Sequence, residues 1–168
     1  MISRRLVLSA GLLAIPSVAF AQERWVTYRN TRYGTSIEYP NRFVPGRPPD
    51  NNDGQSFSAD DGATLRVWGS LNTNAYDLAK LEADMREGQA VNEIVSGSDR
   101  GANWFAFTGR RGSDQLFYRR YLLSHHELVI NAFDIGYPEA SRATYDPIVA
   151  RIARSLHPGR GYQIQRAP

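Results

Sequence analysis

Most of the chain alternates apolar and polar residues over short stretches, and only two stretches carry helical spacing. Residues 25–28 and 36–39 read as short strands, the second closed by Pro40. Residues 56–58 form another brief strand. Residues 63–69 alternate, with Leu65 and Val67 on one side and Thr64, Arg66 and Trp68 on the other. Between 41 and 55, Pro45, Gly46, Pro48, Pro49 and the run Asp50-Asn51-Asn52-Asp53-Gly54 predict a loop, since proline and glycine interrupt ladders and Asx side chains favour turns. Leu78, Leu81 and Met85 then recur at helical spacing, with Asn74 as cap, Asp77 near the positive end and Gly88 as stop. A strand over 92–96 and a loop over 97–101 follow.

Three further strands, 103–110, 115–123 and 128–135, are joined by short turns and must pair antiparallel. Pro138 opens the last helical region, and Asp146-Pro147 predicts a break and a renewed cap within it. Ile148, Val149, Ile152 and Leu156 make its apolar stripe, with Arg151 and Arg154 outward. The order strands, helix, strands, helix predicts an α+β fold: a single central antiparallel sheet flanked by helices.

The first 21 residues have a different character. Arg4 and Arg5 form a positive start, 6–20 carry no charge, and Ala19-Phe20-Ala21 places small residues where a signal peptidase reads. This pattern predicts a secretory signal over 1–21, with Gln22 as the new N-terminus. The apolar run is shorter than the roughly 20 residues a membrane span needs. No second such run exists, so no span is expected after signal removal. Ser3-Arg4-Arg5-Leu6 also fits a twin-arginine export signal, and the route stays open between that and Sec. A single globular domain is expected over 22–157, with a mobile polar tail over 158–168.

Signal removal changes the charge picture. Two of the 20 basic residues lie in 1–21, which leaves 18 against 17 acidic ones. Arg and Asp/Glu are interspersed, so no concentrated basic surface for nucleic acid is expected. The chain has no cysteine. Disulfides, thiolate metal ligands and a thiol nucleophile are therefore excluded, and the core must supply the stability.

Tyr28-x-Asn30, Tyr33-Gly34-x-Ser36-Ile37-x-Tyr39-Pro40-x-x-Phe43 resembles the opening of PsbP-like domains. The ending is similar too: Phe133, Tyr137-Pro138, Tyr145, then Ile148, Ile152 and Ser155-Leu156. The family is named for an extrinsic photosystem subunit, and its fold recurs in exported bacterial proteins. The resemblance implies an α/β/α sandwich around an antiparallel sheet. It carries over no catalytic residue and no cofactor.

Several motifs fail as chemistry. Gly97-Ser98-Asp99-Arg100-Gly101 puts its serine one place too early for a nucleophile elbow. Counted from Asp50, Gly54 is fifth and Asp61 twelfth, out of register for a calcium loop. His125 and His126 are adjacent in a hairpin turn, and adjacent residues in extended chain point to opposite sides, so no metal site is expected. Trp104, Phe105 and Phe107 could stack on sugars or bases, but read better as a strand buried on both sides.

One constellation remains. Hairpins closing symmetrically about Ser113 and about His125–His126 set Phe107, Arg119 and Ala132 side by side. Asp134 is then diagonal to Arg119 on the same face. The opposite face aligns Ala106, Arg120 and Asn131. Mid-sheet arginines need partners. Arg119, Arg120, Asn131 and Asp134 are therefore either internal polar clusters or the walls of an anion-binding pocket.

The functional expectation is an exported, non-enzymatic module that binds an envelope protein or a small ligand, periplasmic or secreted. The alternative is a small hydrolase using Asp/Glu acid–base chemistry, with Glu38, Asp134 and Glu127 as candidate carboxylates. N-terminal sequencing of the exported protein should begin at Gln22. A product that keeps Met1 and stays in the membrane would refute the signal reading.

Overall fold

A computed structural model describes residues 23–159. The expected signal over 1–21 and most of the expected tail lie outside them. Ten strands and two helices follow one another as β1 (Trp25–Arg29), β2 (Thr35–Pro40), β3 (Val44–Pro45), β4 (Gly54–Ser58), β5 (Thr64–Leu71), α1 (Leu78–Glu87), β6 (Glu93–Arg100), β7 (Trp104–Arg111), β8 (Gln115–Ser124), β9 (Val129–Pro138), α2 (Arg142–Ser155) and β10 (His157–Pro158).

The expected single sheet is in fact two. Seven strands pair antiparallel in the order β3-β4-β5-β9-β8-β7-β6, and β1-β2-β10 form a separate three-stranded sheet. The consecutive meander β7-β8-β9 is as predicted. The segment entering the small sheet packs on the large one where Gly69 meets Tyr33 and Thr35: a Cβ at 69 would lie 2.4 Å from Tyr33 Cβ. Thr35 Oγ1 donates to buried Asn131 Oδ1 at 2.8 Å, which ties the sheets together.

Side-chain alternation divides the core. On one face of the large sheet, Phe105, Phe107, Phe117, Tyr121 and Ala132 pack with Leu78 and Leu81 of α1. On the other, Leu65, Val67, Phe133 and Ile135 pack with Ile37 of β2 and with Tyr145, Ile148 and Ile152 of α2. Phe105 and Phe107 are fully buried, while Trp104 is only partly so.

Local departures have local causes. The α1 cap is Asp77, not Asn74: its carboxylate accepts from Lys80 N at 2.8 Å. Pro147 does not break α2, which runs unbroken through it. Proline removes only the bond to the carbonyl of Ala143, and both residues face solvent, where water replaces the donor. Residues 97–100 belong to β6 rather than a loop, because a bulge between Val95 and Gly97 lets pairing with β7 resume. Pro45 forms a two-residue edge strand inside the expected loop. Pro158 and Gly159, placed in the tail, are held to β2 and Gly34.

Gly69→Ala should lower stability by about 1–3 kcal/mol, since the added methyl meets packed backbone-proximal atoms of the other sheet. Urea denaturation reads this, and an unchanged midpoint would show that the sheets part easily.

Candidate functional site

The expected pairing of Phe107 with Arg119 is present. The β8–β9 hairpin, however, is shifted by two residues: Arg119 lies directly opposite Asp134, and Arg120 opposite Phe133. His125, His126 and Glu127 all adopt left-handed backbone, and the loop spans 125–128 between the last paired residues, Ser124 and Val129. A two-residue shift keeps every side chain on its face. Arg119 and Asp134 therefore still meet, with Arg119 Nε donating to Asp134 Oδ2 at 2.6 Å.

Two residues absent from the sequence argument complete this cluster. Glu93, on edge strand β6, accepts from Arg119 Nη2 at 2.8 Å and Arg111 Nη2 at 2.7 Å. Arg111, on β7, also reaches Asp134 Oδ2 at 3.0 Å. Two arginines and two carboxylates thus close a neutral network across four adjacent strands. Gln89, just beyond α1, accepts from Arg119 Nη1. Gly136 leaves room for Arg111, because a Cβ there would lie 3.0 Å from its Nη1. The Glu93 side chain is only 3% exposed and that of Arg119 16%. Burial pushes the Glu93 carboxyl up, but the hydrogen bonds and charges of Arg119 and Arg111 outweigh it, and its pKa falls below the ordinary value. Arg119 is raised despite burial, by Asp134 and Glu93. Tyr121 beside it is pushed up to about 12 by burial.

The cluster borders a groove. One arm, about 310 Å³, runs past Trp68 and Tyr121; the other, about 430 Å³, runs past Ser56, Ser58 and Thr64. Both arms share Arg66, Arg111 and Asp134. Arg66 is exposed and lies over the Trp68 ring, 5.1 Å from its centroid. Although opposite Asp134 in register, it forms no ion pair among the described residues. The paired cations therefore lie deeper, and an unpaired one faces the groove.

Arg120 and Asn131 do not come together. Asn131 is buried and donates to Ser124 Oγ at 2.8 Å, while the Arg120 guanidinium stacks 3.7 Å from the Trp104 centroid. Its Nε is buried without a hydrogen-bond partner. The three candidate carboxylates are also dispersed. Asp134 belongs to the ion cluster, Glu38 pairs with Arg151 at 2.9 Å, and Glu127 is in the 125–128 turn. Ser98 lies in the β6 ladder opposite Phe107, which removes the elbow geometry. Asn51 and Asn52 carbonyls accept from Arg32 and Asn30, so the Asx run anchors the β1–β2 turn. A second cleft, about 540 Å³, lies on the opposite face between Tyr118 and the Val149–Ala150–Ala153 side of α2, with Arg142 and Asp146 at its rim.

No family model matches the chain, and no curated protein matches it in sequence. Solved structures do match in fold. Cyanobacterial PsbP from Synechocystis aligns with a TM-score of 0.57 at 16% identity, over 90% of this chain and 98% of that one. Mog1p, a Ran-binding protein of Saccharomyces cerevisiae, aligns with a TM-score of 0.56 at 10% identity, over 81% and 96%. The fold is thus PsbP-like, as the sequence resemblance implied.

Removing Arg119 strands two carboxylates. Arg119→Met should cost about 3 kcal/mol, the low end for breaking a buried pair, because water reaches Asp134. Because the Glu93 pKa is depressed on folding, the unfolded chain takes up the proton at higher pH. The cluster's contribution is complete above the ordinary value of 4.5 and is lost as pH falls through the lower folded value. Thermal melts between about pH 7 and about pH 3 should show a steeper acid limb for the wild type than for Glu93→Gln. Parallel limbs would mean that Glu93 is not held ionised by the fold.

Proposed function

We propose that the chain is exported across the bacterial inner membrane and acts in the periplasm or outside the cell as a non-enzymatic binding module. In this reading the layers form an α/β/α sandwich, and the groove beside the ion cluster receives the ligand or partner. The observation that carries it is the placement of Arg66. Every other cation of the cluster is satisfied by a carboxylate, whereas Arg66 faces the junction of both groove arms unpaired. Apolar and aromatic walls with a few fixed polar groups are the usual make-up of a binding site. The N-terminal pattern supports export. No helix among the described residues is long and apolar enough to cross a membrane. The matching fold of a protein described as Ran-binding is compatible with a binding role.

Immobilised mature protein should retain material from an envelope extract that an Arg66→Gln, Trp68→Leu bait does not, with both baits equally folded by circular dichroism. Equal retention by the two baits would place the binding surface elsewhere.

A further inference from the structure

The cleft on the α2 side of the large sheet is walled differently from the Arg66 groove. It follows α2 from Arg142 to Ala153, about 16 Å at the helical rise of about 1.5 Å per residue. Its volume, about 540 Å³, falls within the roughly 300–1,000 Å³ of small-molecule sites. Leu116 of β8 and Val149, Ala150 and Ala153 of α2 bring only hydrocarbon side chains to it. Ala150 is exposed, so the cleft opens to solvent along the helix. The rings of Tyr118 and Tyr137 are stacked on Phe133 and Tyr145 of the core, 5.7 and 5.0 Å between centroids, which fixes the shape of the trough.

The floor offers little to a polar ligand. The backbones of β6, β7 and β8 pair with one another across it, and Ser96 Oγ donates to the Thr108 carbonyl at 3.5 Å. An extended peptide lying in the cleft finds no unpaired strand edge across the floor to add to. Methyl-bearing walls make no directional demand, and a trough that follows a helix for three turns suits a linear aliphatic chain.

Among the lining residues, charge is confined to one end. Arg110 donates to Glu139, and the Tyr137 hydroxyl donates to Asp146 Oδ1 at 3.0 Å. Arg142 lies 4.0 Å from Glu139, beyond hydrogen-bond distance, with its side chain 58% exposed. Both carboxylates at this end thus already accept a hydrogen bond, and Arg142 is the group with donors to spare. A guanidinium at the end of an apolar trough complements a carboxylate at the end of an apolar chain.

We propose that this cleft binds one linear aliphatic carboxylate, its chain along Leu116, Val149, Ala150 and Ala153 and its head on Arg142. The site lies on the opposite sheet face from the Arg66 groove and does not depend on it.

Isothermal titration of the mature protein with hexanoate, octanoate, decanoate and dodecanoate, each below its micellar concentration, tests the proposal. Affinity should rise with each added methylene by up to about fourfold, the effect of burying one methylene, and level off once the chain outgrows the trough. The neutral 1-decanol and the cationic decyltrimethylammonium should bind about threefold to fivefold more weakly than decanoate, the size of an exposed ion pair. Arg142→Gln should weaken decanoate by the same factor and leave 1-decanol unchanged. Ala150→Trp, at an exposed helix position, should abolish decanoate binding with unchanged circular dichroism. Absence of decanoate binding, an affinity that ignores chain length, or equal binding of decyltrimethylammonium would overturn the proposal. So would a folded Ala150→Trp variant that binds like wild type, or an Arg142→Gln variant that loses 1-decanol as much as decanoate. If Ala150→Trp fails to fold, the chain-length series and Arg142→Gln decide alone. Sedimentation of the protein with phosphatidylglycerol vesicles, together with no binding of free decanoate, would assign the surface to a membrane and overturn the proposal as well.

Discussion

The ion cluster of Glu93, Arg111, Arg119 and Asp134 joins β6, β7, β8 and β9 through their side chains as well as their backbones. Its value is conditional. Charges removed from water contribute only while every partner is in place, and losing one costs more than the whole set adds. Here both carboxylates receive several N–H donors and no charge is left over within the four. The cluster also reaches Gln89, next to the end of α1, so the chain segment between helix and edge strand is held by the same contacts.

That closure determines what the neighbouring surface can do. A neutral cluster does not need an external ion, so its arginines are poor candidates for ligand capture by themselves. Arg66 differs because the strand register sets it opposite Asp134 while its guanidinium turns onto Trp68 instead. Arg111 and Asp134 of the cluster line the groove together with Arg66. In the proposed binding role these fixed side chains would need little reorganisation, which limits the entropic cost of association.

Much of the meander was legible in the sequence because short turns force antiparallel neighbours. The Arg119–Asp134 pairing survived an error in the hairpin loop because the error was an even number of residues. The actual register sets Arg120 opposite Phe133 rather than Asn131, so Arg120 stacks on Trp104 while Asn131 bonds with Thr35 and Ser124. Glu93 and Arg111 were missed for a common reason. A loop over 97–101 conceals the pairing of β6 with β7, and a turn starting after residue 110 leaves out Arg111, the last residue of its strand. Carrying the Phe107–Arg119 register outward would have paired Arg111 with Gln115 and exposed it as a cluster candidate. The second sheet had no such signal. It meets the large sheet at the close approach of Gly69 to Tyr33 and Thr35, a contact between distant segments that no local pattern encodes.

The central claim is that the ion cluster locks the edge strand to the sheet. Native-state hydrogen exchange on Glu93→Gln tests it most directly. Amides of β6 that pair with β7 should lose protection relative to wild type, while those between β5 and β9 keep theirs, because only the edge strand loses its side-chain tether. Unchanged protection along β6, or an equal loss across the whole sheet, would contradict the account.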